Sequence, residues 1–175
     1  MPPDTSPQAN LSTQIYGAKA LYLMAGTVSR ELATFSSWMI AGAGAIFALA
    51  LNGVDKLGAF LTTANIGGSI RLFLIAAVLN VLQRWGAAMI AGSTAVATEL
   101  ANAPMPDDIE MAELLRLLEK STPWPMRSWV RRVIKKTMAG DFLVGARMNV
   151  HLSHVQSTLL LLQFLLVFVA AWRLV

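Results

Sequence analysis

Apolar residues return at near-helical intervals from Gln14 to Thr34 (Ile15, Ala18, Leu21, Tyr22, Ala25, Val28, Leu32), interrupted by Lys19, Arg30 and Glu31. That periodicity predicts an amphipathic helix over 14–34, at a membrane surface or against a partner helix, and not a span. Residues 1–13 are polar and proline-containing, without the basic-then-apolar order of a secretory signal, so a disordered tail is expected there. The next run, Phe35 to Leu51, is free of charge over about 17 residues, close to the minimum for crossing ~30 Å of hydrocarbon. It is the first predicted span.

Asn52, Gly53 and Asp55 then mark a turn. Beyond it, Arg71 and Arg84 bracket an apolar stretch from Leu72 to Gln83, and their separation corresponds to about 20 Å of helix. In one reading both arginines snorkel to the interfaces. In the other the helix begins near Thr63 and carries Arg71 into the bilayer, toward a polar cavity or an acidic partner such as Asp55. Past Trp85 the small-residue segment GAAMIAGSTAVA continues this helix toward Glu99, completing a transmembrane hairpin over 35–100. The most apolar stretch, STLLLLQFLLVFVAAW, predicts a third span from Val155 to Trp172 within a C-terminal segment 151–175, anchored by Trp172 and Arg173.

The segment 101–150 between the second and third spans has a different texture. Pro104 and Pro106 break the chain, and Asp107 or Asp108 can cap a helix running to about Lys120. Met111, Leu114, Leu115 and Leu118 share one of its faces; Glu110, Glu113, Arg116 and Lys120 share the other. Pro123 and Pro125 open a second amphipathic helix, 125–138, closed by Gly140. Its apolar face carries Met126, Trp129, Val130, Val133, Ile134 and Met138, and its opposite face Arg127, Arg131, Arg132, Lys135 and Lys136. With Trp124 and Trp129, these five cations are candidate contacts for anionic lipid headgroups. The competing reading packs the apolar face on the preceding helix or on a neighbouring subunit. Nucleic acid is not the expected partner, because no recognised nucleic-acid fold surrounds the cluster.

Composition agrees with a membrane reading. Of 175 residues, 55% are apolar and 14% charged, against roughly 45–50% and 25% in a soluble domain, and the mean hydropathy is +0.56. A soluble globular enzyme is disfavoured, because too little polar surface is available to coat a core. The absence of cysteine excludes disulfides, thiolate nucleophiles and cysteine-ligated metal centres. The basic residues behind the net charge of +4 concentrate in 101–150. The positive-inside rule therefore places that segment and the N-terminus in the cytoplasm and the C-terminus on the far side. Alanine, glycine and arginine usage without cysteine fits a bacterial inner membrane.

No GxGxxG, Walker loop, GxSxG elbow or HExxH is present. His151 and His154 share a helical face, but only Asp141 and Asn149 stand near as further ligands, so neither a metal nor a cofactor is expected. Arg147 followed by six residues and His154 resembles the arginine-to-histidine spacing of HEPN ribonucleases. That resemblance implies, as the enzyme alternative, a membrane-anchored ribonuclease or effector with both residues at a dimeric RNA-cutting site.

The uncharged polar residues of the spans are more informative. Asn149, Ser153, Gln156 and Gln163 fall on one helical stripe, and Asn80 and Gln83 are amides at membrane depth in the second span. They must face other helices or water, either hydrogen-bonding between helices or lining a polar path in which Arg71 could join. Small residues four apart (Ala41 with Ala45, Gly44 with Ala48, Ala87 with Ala91, Ala88 with Gly92) let helices approach closely. Three helices can hardly bury both sets. The expectation is an all-α integral membrane protein of about three spans, acting without catalysis as a homo-oligomer or subunit of a larger membrane complex, in a pore or structural role.

Overall fold

The structure, a computed structural model, describes residues 7–52, 63–102, 111–122 and 127–173. All of its elements are α-helices: α1 Pro7–Asn52, α2 Thr63–Asn102, α3 Met111–Ser121, α4 Arg127–Met138 and α5 Val144–Trp172. Three of them, α1, α2 and α5, are long and apolar enough to cross a membrane, over Ser12–Asn52, Asn65–Glu99 and Val144–Trp172.

The boundaries differ from those the sequence pattern suggests, in one direction. α1 begins at Pro7, inside the expected tail, and runs without a break through the boundary placed at Phe35. Proline fits the first turn of a helix, where its missing N–H has no partner to lose, and no second proline follows before Asn52. Lys19, Arg30 and Glu31, which divided the pattern into two elements, are all exposed and so need not interrupt the helix. α2 begins at Thr63, as the second reading of Arg71 had it. α5 begins at Val144, ahead of the expected segment 151–175. Asp55, Trp124, the aspartates at 107 and 108, and the side chains of Met111, Leu114, Leu115 and Leu118 lie outside the described residues.

The chain divides into two compact units, Met1–Ala25 with Gly92–His151, and Gly26–Ala91 with Leu152–Val175. Apart from Phe47, Gly86 and Ser153, the buried positions of the second unit fall on heptads. They are Ser29, Ser36 and Ala43 on α1, Ser69, Ala76, Gln83 and Ile90 on α2, and Gln156, Gln163 and Ala170 on α5. A seven-residue repeat keeps one seam of each helix facing its neighbours when helices wrap at a shallow left-handed angle. Ser36 pairs with Asn80, and Phe47, farther along α1, pairs with Phe73, earlier on α2, so these helices run antiparallel. Gln83 pairs with Gln156 and Ser36 meets Gln163, so α5 is antiparallel to α2 and parallel to α1.

In the first unit, Tyr22 lays its hydroxyl against Gly145, where any Cβ would collide with it. Tyr22 also offers its backbone carbonyl to Thr94, at 3.4 Å, and Asn149 donates its amide to Ser93 at 2.7 Å. α3 packs on α4, and Arg131 donates to Glu119 at 2.6 Å. The turn from α4 into α5 is built by three residues. Gly140 has φ +91°, and it donates to Thr137 while Asp141 donates to Lys136, at 2.9 and 3.0 Å. This pair of bonds is the Schellman closure that favours glycine past a helix end. Asp141 in turn accepts the Leu143 N–H at 3.2 Å and pairs with Arg147 at 3.7 Å, which starts α5. Gly140→Ala should therefore lower stability by roughly 1–2 kcal/mol through left-handed strain, read as a drop in the thermal midpoint in detergent. An unchanged midpoint would contradict this account of the turn.

Candidate functional site

The second unit is turned inside out relative to a soluble bundle. Trp38, Ile46, Leu49, Val78, Val81, Leu161, Phe164 and Phe168 stand outward, while Ser29, Ser36, Ser69, Gln83, Ser153, Gln156 and Gln163 are buried. In hydrocarbon this arrangement is the favourable one, because apolar side chains lose nothing to lipid whereas a polar group needs a partner that lipid cannot supply.

The polar residues are stacked in layers. In one, the Gln83 amide donates to the Gln156 backbone carbonyl and the Gln156 amide donates to the Gln83 carbonyl, each at 2.9 Å. Gly86 makes the room, since a Cβ there would lie 3.1 Å from the Gln156 amide nitrogen. In the next, the Ser36 hydroxyl lies 3.0 Å from Asn80 Oδ1 and 2.7 Å from the side-chain amide of Gln163. One hydroxyl carries one proton. Ser36 can thus donate to only one of the two amide oxygens, Asn80 Oδ1 or Gln163 Oε1, at a time.

These layers are incompletely satisfied. Oε1 of Gln83 and of Gln156, Nε2 of Gln163, and the hydroxyls of Ser29 and Ser69 are buried without a hydrogen-bond partner among the described residues. Each such group costs about 1–3 kcal/mol, more than the ~0.6 kcal/mol that an average hydrogen bond between membrane helices returns. The seam is therefore not explained as helix cement alone.

Beyond the Ser36 layer the interior turns apolar. Phe47 meets Phe73 with ring centroids 5.0 Å apart, and Ala43, Ala76 and Ala170 are buried. Ser69 lies past them, two turns before Ala76 on α2.

The other positions singled out from the sequence fall elsewhere. Arg71 is exposed and is not a member of the buried seam. As a long cation, it keeps its charge on the outer surface and leaves the interior to neutral amides. Asn149 is buried, but in the first unit, on Ser93. Gly44 is half-buried against the Phe73 ring, and Ala87 is half-buried. Ala41, Ala45, Ala48, Ala88, Ala91 and Gly92 are exposed, so their small-residue faces are not buried contacts among the described residues. No residue of α4 is buried. Arg127, Arg132, Lys135 and Lys136 are exposed on it, Trp129 is partly so, and Arg131 is engaged by Glu119. Arg147 is held by Asp141, and His154 is exposed, two helical turns on.

Ser29, Ser36 and Ser69 were missed by sequence reading. A serine on a membrane helix can hide its hydroxyl on its own backbone, as Ser37 does on Ala33, so composition does not mark it. The heptads Ser29–Ser36–Ala43 and Ser69–Ala76–Gln83 would have.

Fold and seam together define a class of protein: all-helical, with three helices of membrane-spanning length and polar side chains turned inward. Compared with protein-family models, with curated proteins and with solved structures, the chain matches none.

Proposed function

We propose that this chain is a three-span integral membrane protein, in a bacterial inner membrane, that acts as a structural subunit by assembling with copies of itself or within a larger complex. The observation that carries the reading is the inverted burial of the second unit, with aromatic and aliphatic side chains outward and amides and hydroxyls inward. Helix lengths support it. Arg30 to Asn52 on α1 and His154 to Arg173 on α5 correspond to about 33 and 28 Å of rise, matching ~30 Å of hydrocarbon. On α2, Asn65 to Arg84 also corresponds to about 28 Å, leaving Arg71 about 9 Å inside the Asn65 level. An arginine can snorkel that distance.

The basic helix α4 then lies at the cytoplasmic surface under the positive-inside rule, its exposed cations toward anionic headgroups. The outward faces Ala41–Ala45–Ala48 and Ala88–Ala91 offer close approach to a neighbouring helix. The structural role is preferred to a pore between protomers because Gln156 and Gln163, which would have to line such a pore, are 2% and 0% exposed in the isolated chain.

Reconstitution tests the choice. Purified protein in mild detergent should run as a stable oligomer or bring a partner with it, and Ala45→Leu should dissociate the assembly without lowering the thermal midpoint of the protomer. Wild-type protein in anionic liposomes should pass no ions above the empty-vesicle rate. A monomer without a partner, or ion flux that scales with protein density, would overturn the structural reading.

A further inference from the structure

We infer that Arg71 and Arg173, at the far end of the second unit, together hold the phosphate of an anionic phospholipid in the leaflet opposite the cytoplasm. The inference rests on the membrane reading proposed above. Ser36 meets both Asn80 and Gln163, so these three residues mark one level of the unit. Ten residues onward along α5 stands Arg173, and ten residues back along the antiparallel α2 stands Ile70, beside Arg71. Each step covers about 15 Å. The two arginines thus leave their helices at the same depth.

Gly68 brings them together. A Cβ built on it would lie 2.6 Å from Nη1 of Arg173, so the guanidinium from α5 lies across the bare backbone of α2 there. Arg71 is three residues on from Gly68, and side chains at that spacing are neighbours about 5–6 Å apart on a helix surface. The Arg173 guanidinium is therefore within roughly 9 Å of the Arg71 Cβ, a gap that the Arg71 side chain and one phosphate span together. Both arginines are exposed, so a lipid reaches them without opening the unit.

Among the described residues of the unit the only carboxylate is Glu31, about 22 Å nearer the cytoplasmic end and beside Arg30. Two guanidiniums side by side repel, and at the edge of hydrocarbon they need an anion between them. A phosphodiester supplies one in the forked geometry that guanidinium favours. It comes from lipid and not from solution because Phe168 and Trp172, exposed and stacked with ring centroids 6.3 Å apart on the last turns of α5, give acyl chains an apolar wall. A headgroup of net negative charge is selected, since the amine of a zwitterionic one would face the second guanidinium.

The test is native mass spectrometry of the chain in mild detergent with phosphatidylglycerol or phosphatidylcholine added. The parent protein carries Arg127→Gln, Arg132→Gln, Lys135→Gln and Lys136→Gln, so that α4 does not contribute headgroup binding of its own. It should retain one phosphatidylglycerol per protomer, at least five-fold more tightly than phosphatidylcholine. Arg71→Gln and Arg173→Gln should each weaken retention about five-fold, the effect of one basic residue near an anionic headgroup, and together they should remove the preference. Gly68→Leu keeps both charges but fills the place of the Arg173 guanidinium, and it should weaken retention as much as Arg173→Gln. Inorganic phosphate in large excess should not displace the lipid. Since both arginines are exposed, their variants should keep the parent elution volume and helicity. Equal retention of the two lipids, retention that survives the double glutamine variant or ignores Gly68→Leu, or displacement by inorganic phosphate would refute the site. Carbonate extraction of the wild-type chain from membranes would instead refute the membrane reading beneath it.

Discussion

Leucine at Gly86 should disrupt the second unit, whereas leucine at Gly92, six residues on along the same helix, should not lower the stability of the protomer. Both are glycines in an apolar helix, and the four-residue spacing of small residues singled out Gly92, with Ala88, and not Gly86. Gly86 is buried, and even a Cβ would lie 3.1 Å from the Gln156 amide nitrogen and 3.5 Å from its Cγ. Three further carbons must displace that amide, break its reciprocal bonds with Gln83, and separate α2 from α5. Overpacking of this kind costs about 1–3 kcal/mol, and the loss of the paired amides adds to it. Alanine should be nearly neutral at Gly86, since its gain in helix propensity of about 1 kcal/mol offsets the tight contact. At Gly92 nothing lies within 4 Å of a built Cβ. Unfolding midpoints in detergent read the series. Equal midpoints for the two leucine variants would mean that the amide layer is not a packed contact. A Gly92→Leu variant that keeps its midpoint while losing its oligomer would mark that face as intermolecular.

Neutralising the exposed cations of α4 should free the helix from an anionic surface while the spans keep the protein in the bilayer. Arg127, Arg132, Lys135 and Lys136 are exposed, and each near an anionic leaflet contributes about 1 kcal/mol. Four together give up to ~4 kcal/mol, or about a thousand-fold in the docked-to-free ratio. Arg131 is left out because its guanidinium serves Glu119, an ion pair that also ties α4 to α3. The chain has no cysteine, so a polarity-sensitive dye on Met138→Cys, at a residue 62% exposed, reports docking without background labelling. The dye should shift to the blue in anionic vesicles and not in neutral ones. The fourfold glutamine variant, or half-molar salt, should reverse the shift, as screening within a few ångströms requires. A shift that survives both would assign the apolar face of α4 to protein packing instead.

Much of this architecture is legible in residue order. The closure of α4 follows from glycine past a helix end, and the structure builds it at Gly140. The three apolar stretches appear where charge-free runs lie. The ends of the helices did not follow as readily. Lys19, Arg30 and Glu31 read as an interruption because a one-dimensional pattern weighs a charge without knowing whether its side has a neighbour. On an outward face it has none, and the helix continues. The amides of α5 were visible as a stripe because their spacing lies within one helix. Their partners were not, since Ser36 meets Gln163 across 127 residues of sequence.

Composition and periodicity by themselves determined an all-helical chain with three membrane-length apolar helices and a basic amphipathic segment, because hydrophobic length and charge distribution are properties of the strand of residues. Only the tertiary structure decided which polar groups meet, that Arg71 stays outside the seam, that Gly86 rather than Gly92 is the close approach, and that the hydroxyls of Ser29 and Ser69 are left wanting partners. The reason is physical. A hydrogen bond or a collision depends on the register between helices, and that register is set by packing summed over many side chains, which no single segment contains.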